Sequence, residues 1–506
     1  MHSGSNSSAE ADASSITVAK NSTPFGSWIW RQDIVVLGAI ALIVLYVSRY
    51  LGDVALPGNN PGNPLGWWGW FDQSKFLQSA QALNRRDFSS AQHWYPFGYA
   101  LLGAPFARLE RQHLFFFIDI GSLLITYYSF ISFSAHCDVS RRWAAILFIF
   151  AAAGDSVLFR QWIIPWNTSP LAAVMWLLLL VAAAHIQGTR RRPALLGSLG
   201  VSVAILRPTD TLIAAIPVAA CLISDIWRRR LRSHDVAKFV AAALLPLTLY
   251  LTLHIAVFGL QPSGYMRSSR DIGFTFHNFA LKAYLILVDP YPWIGGGEGL
   301  IRRCPWLLLG VAGLLSALRR PIPAMLAVTL IVHGALYLSY VDLLPTGFWR
   351  YHNVHYWTFT FPGFALLGFL LLRDLTARRT RYPAIGAVIL VLALLCLRLE
   401  PDPVGSDARA DAVDLAVNPQ DFDSVYFGTL RIQDAGGTLE NMRQIRAFPV
   451  SGGIRILAMT RSLQGPVSVS GTGINLENPQ KLRLAIRLGL PFWPWRRSGN
   501  FFGPQN

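Results

Sequence analysis

Runs of about twenty apolar residues, recurring from Asp33 to Leu399 and separated by short basic loops, limit this chain more than any other feature. A hydrocarbon core of ~30 Å is spanned by ~20 apolar helical residues. Backbone that crosses it must also satisfy its own hydrogen bonds. With 53% of the 506 residues hydrophobic and 14% charged, the sequence predicts a polytopic, all-α membrane protein. The runs fall near 33–51, 113–134, 143–159, 169–187, 194–207, 211–227, 237–258, 305–318, 322–341, 356–372 and 383–398, about eleven transmembrane helices.

The net charge of +16 would suggest nucleic acid as a partner for a soluble chain, but here the position of the charge decides. Arg141 and Arg142, Arg190 to Arg192, Arg228 to Arg230 with Arg232, Arg319 and Arg320, and Arg373 with Arg378, Arg379 and Arg381 all fall in alternate short loops. The positive-inside rule puts those loops in the cytoplasm and removes nucleic acid as a partner. Residues 1–27 lack the apolar core of a signal peptide and read as a disordered cytoplasmic tail. Residues 28–399 then form the transmembrane domain of a multi-pass protein of the cell's inner membrane. Its long outer loops are 52–112 and 259–304, and residues 400–506 form a small outer, periplasmic α/β domain. Stretches such as Gly453 to Leu457 and Val467 to Ser470 supply the alternation of short strands there. Cys137, Cys221, Cys304 and Cys396 are scattered, without redox or metal spacing.

Ala194 to Trp227 is apolar except for Arg207-Pro208-Thr209-Asp210, and both its flanks are basic. It therefore predicts a hairpin with its apex outward and a short first limb, so Arg207 and Asp210 sit in a recess. They form either an i, i+3 ion pair or part of a site.

The first outer loop reads WWGWFDQSKFLQSAQALNRRDFSSAQHWYPFGYALLGAPFARLER from Trp67. Asp72, Phe76, Ala80 and Leu83 share one helical stripe, which predicts an amphipathic helix over Gln73 to Asn84 lying on the membrane. Asp72 falls in its first turn, where it either caps the helix or serves chemistry. Trp67, Trp68, Trp70, Phe71 and Tyr95 are either interfacial anchors or a surface for stacking sugar. His93 either lines an acceptor entrance or lies on the surface.

With Phe71-Asp72-Gln73, then Phe76-Leu77-Gln78-Ser79-Ala80, then Tyr95-Pro96-Phe97-Gly98-Tyr99 in order on an outer loop, the sequence resembles the GT-C glycosyltransferases. That family includes bacterial lipid A aminoarabinose transferases and protein O-mannosyltransferases. Gln73 stands where many members carry a second acid, and Phe97 where many carry a second proline. The resemblance implies a polyprenyl-phosphate sugar as donor and inverting transfer to an acceptor hydroxyl on the non-cytoplasmic face. The acceptor is an envelope glycan, glycolipid or protein. Such chemistry needs one carboxylate near the hydroxyl and cations at the departing phosphate. It does not need the paired carboxyls of a glycosidase.

Asp72 is the first candidate for the carboxylate. Asp155, at the outer end of the third run, is the second, with an ion pair to Arg160 or a helix end as its structural alternative. Arg350 and His352, in Phe348 to His352, are candidates for the donor phosphate, with Arg270, Lys282, Arg302 and Arg303 behind them. Trp70, His93, Tyr95 and Arg207 are the candidate sugar and acceptor contacts. His333, inside an apolar run, reads as a core histidine or a proton relay. No His, Asp and Glu spacing matches a metal motif, so neither a metal nor another cofactor is expected. A polysaccharide polymerase or ligase is the nearest alternative. A secondary transporter is another, which would carry internal repeats not found here.

Overall fold

The computed structural model describes residues 25–53, 71–109, 113–272, 299–340 and 353–376, isolated positions between 274 and 288, and strand segments between 397 and 488. Ten of the eleven apolar runs are helical within these residues. They are α1 (Phe25–Asp53), α4 (Phe116–Ala135), α5 (Arg141–Ala153), α7 (Thr168–Gln187), α8 (Pro193–Leu206), α9 (Thr211–Trp227), α10 (Ser233–Phe258), α13 (Leu307–Ala317), α14 (Pro321–Ser339) and α15 (Thr360–Thr376). The run at 383–398 lies outside the described residues except for its last two positions, which belong to a strand. Among the described residues six helices are long and apolar enough to cross a membrane, while α8 and α13 are apolar but shorter. The third run is interrupted: α5 ends at Ala153, and a separate short helix, α6 (Ser156–Arg160), follows.

Outside the spans lie α2 (Phe71–Asn84) and α3 (Phe97–Gly103) in the first long loop, and α11 (Gly264–Ile272) and α12 (Leu300–Arg303) in the second. The helix expected over Gln73 to Asn84 is present, but its surroundings differ from the expectation. Gln73, Phe76, Leu77, Ser79, Ala80 and Ala82 are buried on more than one face, so protein, not lipid, encloses it.

Lipid offers no hydrophobic drive for helices to associate, so close packing must supply it. Small residues provide the approach. A Cβ on Gly313 of α13 would stand 2.4 Å from the Leu367 carbonyl oxygen of α15, and one on Gly197 of α8 would stand 2.2 Å from that of Phe239 in α10. The most enclosed helix is α7, whose Trp176 donates its indole N–H to the Phe359 carbonyl at 3.0 Å. It ends at Gly188, whose φ of +78° suits the left-handed stop that glycine makes cheaply.

Polar residues mark the two ends of the α7, α8, α9 unit. At one end Asn167, just before α7, bonds Arg207 and the Leu206 carbonyl. At the other, His185 bonds Asp225 of α9 at 3.0 Å. At about 1.5 Å per residue the two ends of α7 are roughly 27 Å apart, close to the thickness of a hydrocarbon core. The hairpin of α8 and α9 is as the sequence predicts. Arg207 to Asp210 form its apex at the Asn167 end, and both basic flanks lie at the His185 end, where Arg191 bonds Asp225 and the Arg230 carbonyl.

The expected α/β segment contains only strands among its described residues, in one antiparallel five-stranded sheet and one antiparallel four-stranded sheet. The first strand is Leu397–Asp402 and the last is Gln480–Leu488, and these two pair with each other.

Candidate active site

The first loop folds back on itself through aromatic contacts. Phe76 of α2 stacks on Tyr95 with ring centroids 4.4 Å apart and meets Tyr99 edge-on at 5.1 Å. Tyr99 donates to Asp119 at 2.8 Å, which fastens α3 to α4. This packing presents Tyr95 to the first turn of α2, and its hydroxyl donates to Asp72 Oδ1 at 2.5 Å. Among the described residues no second donor reaches the other Asp72 oxygen. Burial pushes the Asp72 carboxyl above the ordinary carboxylate range, and the Tyr95 hydrogen bond pulls it partly back. Asp72 still keeps part of its surface open.

Two further elements close on this pair. The second long loop crosses the first where Tyr265 N–H donates to the Trp94 carbonyl at 3.2 Å, and a Cβ on Gly264 would lie 2.5 Å from the Trp94 ring. The Tyr265 ring consequently lies 5.0 Å from that of Tyr95. From the hairpin side, a Cβ on Gly98 would stand 2.7 Å from the Ile205 carbonyl, so the apex of the hairpin lies directly behind α3.

At that apex Arg207 is buried, pairs with Asp210 at 3.6 Å, donates to Asn167 at 2.9 Å, and lies 5.1 Å from the Tyr356 ring centroid. Tyr337 donates to the other Asp210 oxygen. Electrostatics join the two groups. The Tyr265 hydroxyl feels Arg207, Asp210 and Asp72 together, and that of Tyr95 feels both Asp72 and Tyr356.

The structure thus brings together Asp72, Tyr95 and Arg207 from the sequence candidates. Arg207 and Asp210 form the ion pair that their spacing allowed, inside the site. The other candidates stand differently. Asp155 caps α6 through the N–H groups of Val157 and Leu158 at 2.8 and 3.1 Å, and its second oxygen takes Arg303 at 2.8 Å. Its ion-pair partner is therefore Arg303, not Arg160, and none of its partners belongs to the Asp72 group. His93 is buried, not superficial. Ser79 meets Nδ1 at 2.8 Å and the Asp87 carbonyl meets Nε2 at 2.9 Å, so neither nitrogen is left for a ligand. Burial holds the imidazole below its ordinary pKa.

Arg270 is exposed on α11. Trp70, Lys282, Arg350 and His352 lie outside the described residues, as does the Arg302 side chain. His333 is buried, with its ring against Tyr337, Trp357 and Phe359. The sequence reading did not single out Asn167, Tyr265, Tyr337 or Tyr356. The signal for the last was its position beside His355 at the head of the tenth apolar run.

No protein-family profile matches the sequence, and no curated protein matches it. Solved structures do. ArnT from Cupriavidus metallidurans bound to undecaprenyl phosphate is similar at 13% identity and a TM-score of 0.44, over 72% of this chain and 64% of that one. The archaeal oligosaccharyltransferase AglB from Archaeoglobus fulgidus, in complex with an inhibitory peptide and a dolichol-phosphate, is similar at 12% identity and a TM-score of 0.41. That match covers 73% of this chain and 55% of that one. The oligosaccharyltransferase of the same organism in the apo form gives 11% and 0.40, with the same coverage. The chain therefore spans less than two thirds of the length of each.

Proposed function

We propose that the protein is a membrane glycosyltransferase that moves a sugar from a polyprenyl-phosphate donor to an acceptor hydroxyl on the non-cytoplasmic face, with inversion. The observation that carries this reading is Asp72: a half-open carboxylate with one oxygen held by Tyr95 and the other without a partner among the described residues. Such a group can receive a proton while its orientation stays fixed.

In the reaction, the acceptor oxygen attacks the anomeric carbon as its proton passes to Asp72. The bond from that carbon to the phosphate oxygen breaks, and the electron pair leaves with polyprenyl phosphate. The phosphate is a stable anion and needs cations, not an acid. Arg350, His352, Arg270 and Lys282 are the proposed phosphate contacts and Trp70 and Tyr95 the proposed sugar or acceptor contacts, while Arg207 stands buried behind the tyrosines. Asp155, tied to Arg303 and capping α6, is left with a structural part. The proposed site belongs to the transmembrane unit of residues 28–399, with residues 400–506 as a small outer domain.

Purified protein with labelled polyprenyl-phosphate sugar and a membrane extract should yield a labelled acceptor and free polyprenyl phosphate. Asp72→Asn, folded to the same extent, should not. Undiminished turnover by that variant would remove Asp72 as the base.

A further inference from the structure

Resting on the transfer reading, we infer that the sugar carried by the donor is neutral, and that it is recognised by the phenol groups of Tyr95, Tyr265 and Tyr356 between Asp72 and the Arg207–Asp210 pair. The wall is built from three separate stretches of chain. Tyr95 and Tyr265 stand with rings 5.0 Å apart, and Tyr356 lies 4.8 Å from Tyr337 and 5.1 Å from the Arg207 guanidinium carbon. Each of Tyr95, Tyr265 and Tyr356 keeps part of its surface open, whereas Tyr337, Arg207 and Asp210 behind them are buried. The exposed layer is therefore aromatic and hydroxylated, and the charged layer is recessed.

The charges in that recessed layer answer one another. Arg207 is held by Asp210 at 3.6 Å, Asn167 at 2.9 Å and the Tyr337 hydroxyl at 3.3 Å. A uronate sugar would have to draw the guanidinium away from these partners, and would face Asp72 as a like charge. An amino sugar would find Asp72 as its counter-ion and so occupy the group that must accept the proton. Transfer of either charge into an enclosed site also carries a desolvation cost that a neutral polyol avoids. Phenol rings offer faces to sugar C–H groups, and phenol hydroxyls can both donate and accept with sugar hydroxyls.

The test offers the full-length protein three polyprenyl-phosphate donors that differ only in the sugar: a neutral pentose or hexose, an amino pentose and a hexuronate. Release of free polyprenyl phosphate is measured with membrane extract as the acceptor source. The neutral donor should be favoured in kcat/KM by about tenfold or more. Tyr265→Phe and Tyr356→Phe should each lower kcat/KM for that donor by roughly three- to tenfold, as loss of one hydrogen bond does, with the thermal midpoint unchanged.

Preference for the amino sugar or the uronate, with turnover otherwise intact, overturns the inference and leaves the transfer reading standing. So do phenylalanine variants that match the parent on the neutral donor. If no donor is turned over and none quenches the tryptophan fluorescence, the transfer reading fails, and this inference fails with it.

Discussion

Acids meet bases at both ends of the α7, α8, α9 unit, yet the two ends are built to different rules. At the His185 end, Asp225 takes His185 at 3.0 Å and Arg191 at 2.7 Å on one oxygen, and Arg191 also reaches Asp235 at 3.1 Å. Nearby in kind, both oxygens of Asp374 are held by Arg320 at 2.5 and 2.6 Å. At the other end, the Asp72 carboxylate has one neutral donor, and the Arg207–Asp210 pair sits behind three partly open tyrosines. Full ionic pairing ties helices together. A single neutral donor leaves the Asp72 carboxylate an oxygen to spare, and the proposed site lies at the end with that pattern.

Four substitutions test the comparison. Asp72→Asn should reduce transfer by about 10²–10⁴-fold, the range for loss of a general base, with no change in thermal midpoint. A matching loss of stability would make Asp72 a structural group like Asp225. Arg207→Met leaves Asp210 buried without its cation, which should cost about 3–5 kcal/mol in unfolding measured in detergent. The pair Arg207→Met with Asp210→Asn should recover most of that stability but not the activity. Asp225→Asn should cost about 1–3 kcal/mol of stability and leave kcat/KM near the parent value. Abolished transfer in a folded Asp225→Asn protein would break the division between the two ends.

The smallest effect is a shift in pH dependence. Burial raises the Asp72 pKa and the Tyr95 hydrogen bond lowers it, so the rate should rise with pH through a value above the ordinary carboxylate range. Tyr95→Phe removes the lowering contribution. The acid limb of the kcat/KM profile should then move to higher pH, with only a modest loss on the plateau. An unmoved limb would mean that another group titrates there.

The helical bundle was legible because an apolar run of set length has few other solutions in a membrane, and the basic loops fixed which ends lie together. The hairpin apex at Arg207 to Asp210 was legible for the same reason. The surroundings of α2 were not. Its period predicted one buried face, but α3 and the short turns Ser90–Gln92 and Ala104–Arg108 pack on it from more than one side, and a single helix carries no mark of what covers its polar face. The tyrosines were illegible for a related reason. Tyr337 lies 130 residues from Arg207, inside an apolar stretch where an aromatic residue is ordinary. The crossing of the two long loops at Trp94 and Tyr265, with the approach of Gly98 to Ile205, is what brings Asp72 and Arg207 to one group of tyrosines.

Helix α8 is 14 residues long, about 21 Å at the usual rise, which is several ångströms less than a hydrocarbon core. A short span is accommodated by thinning the adjacent bilayer or by drawing polar chain inward. For the lipid-linked donor proposed above, either accommodation would shorten the climb that the headgroup makes to the hairpin apex, a lowered sill at its doorway.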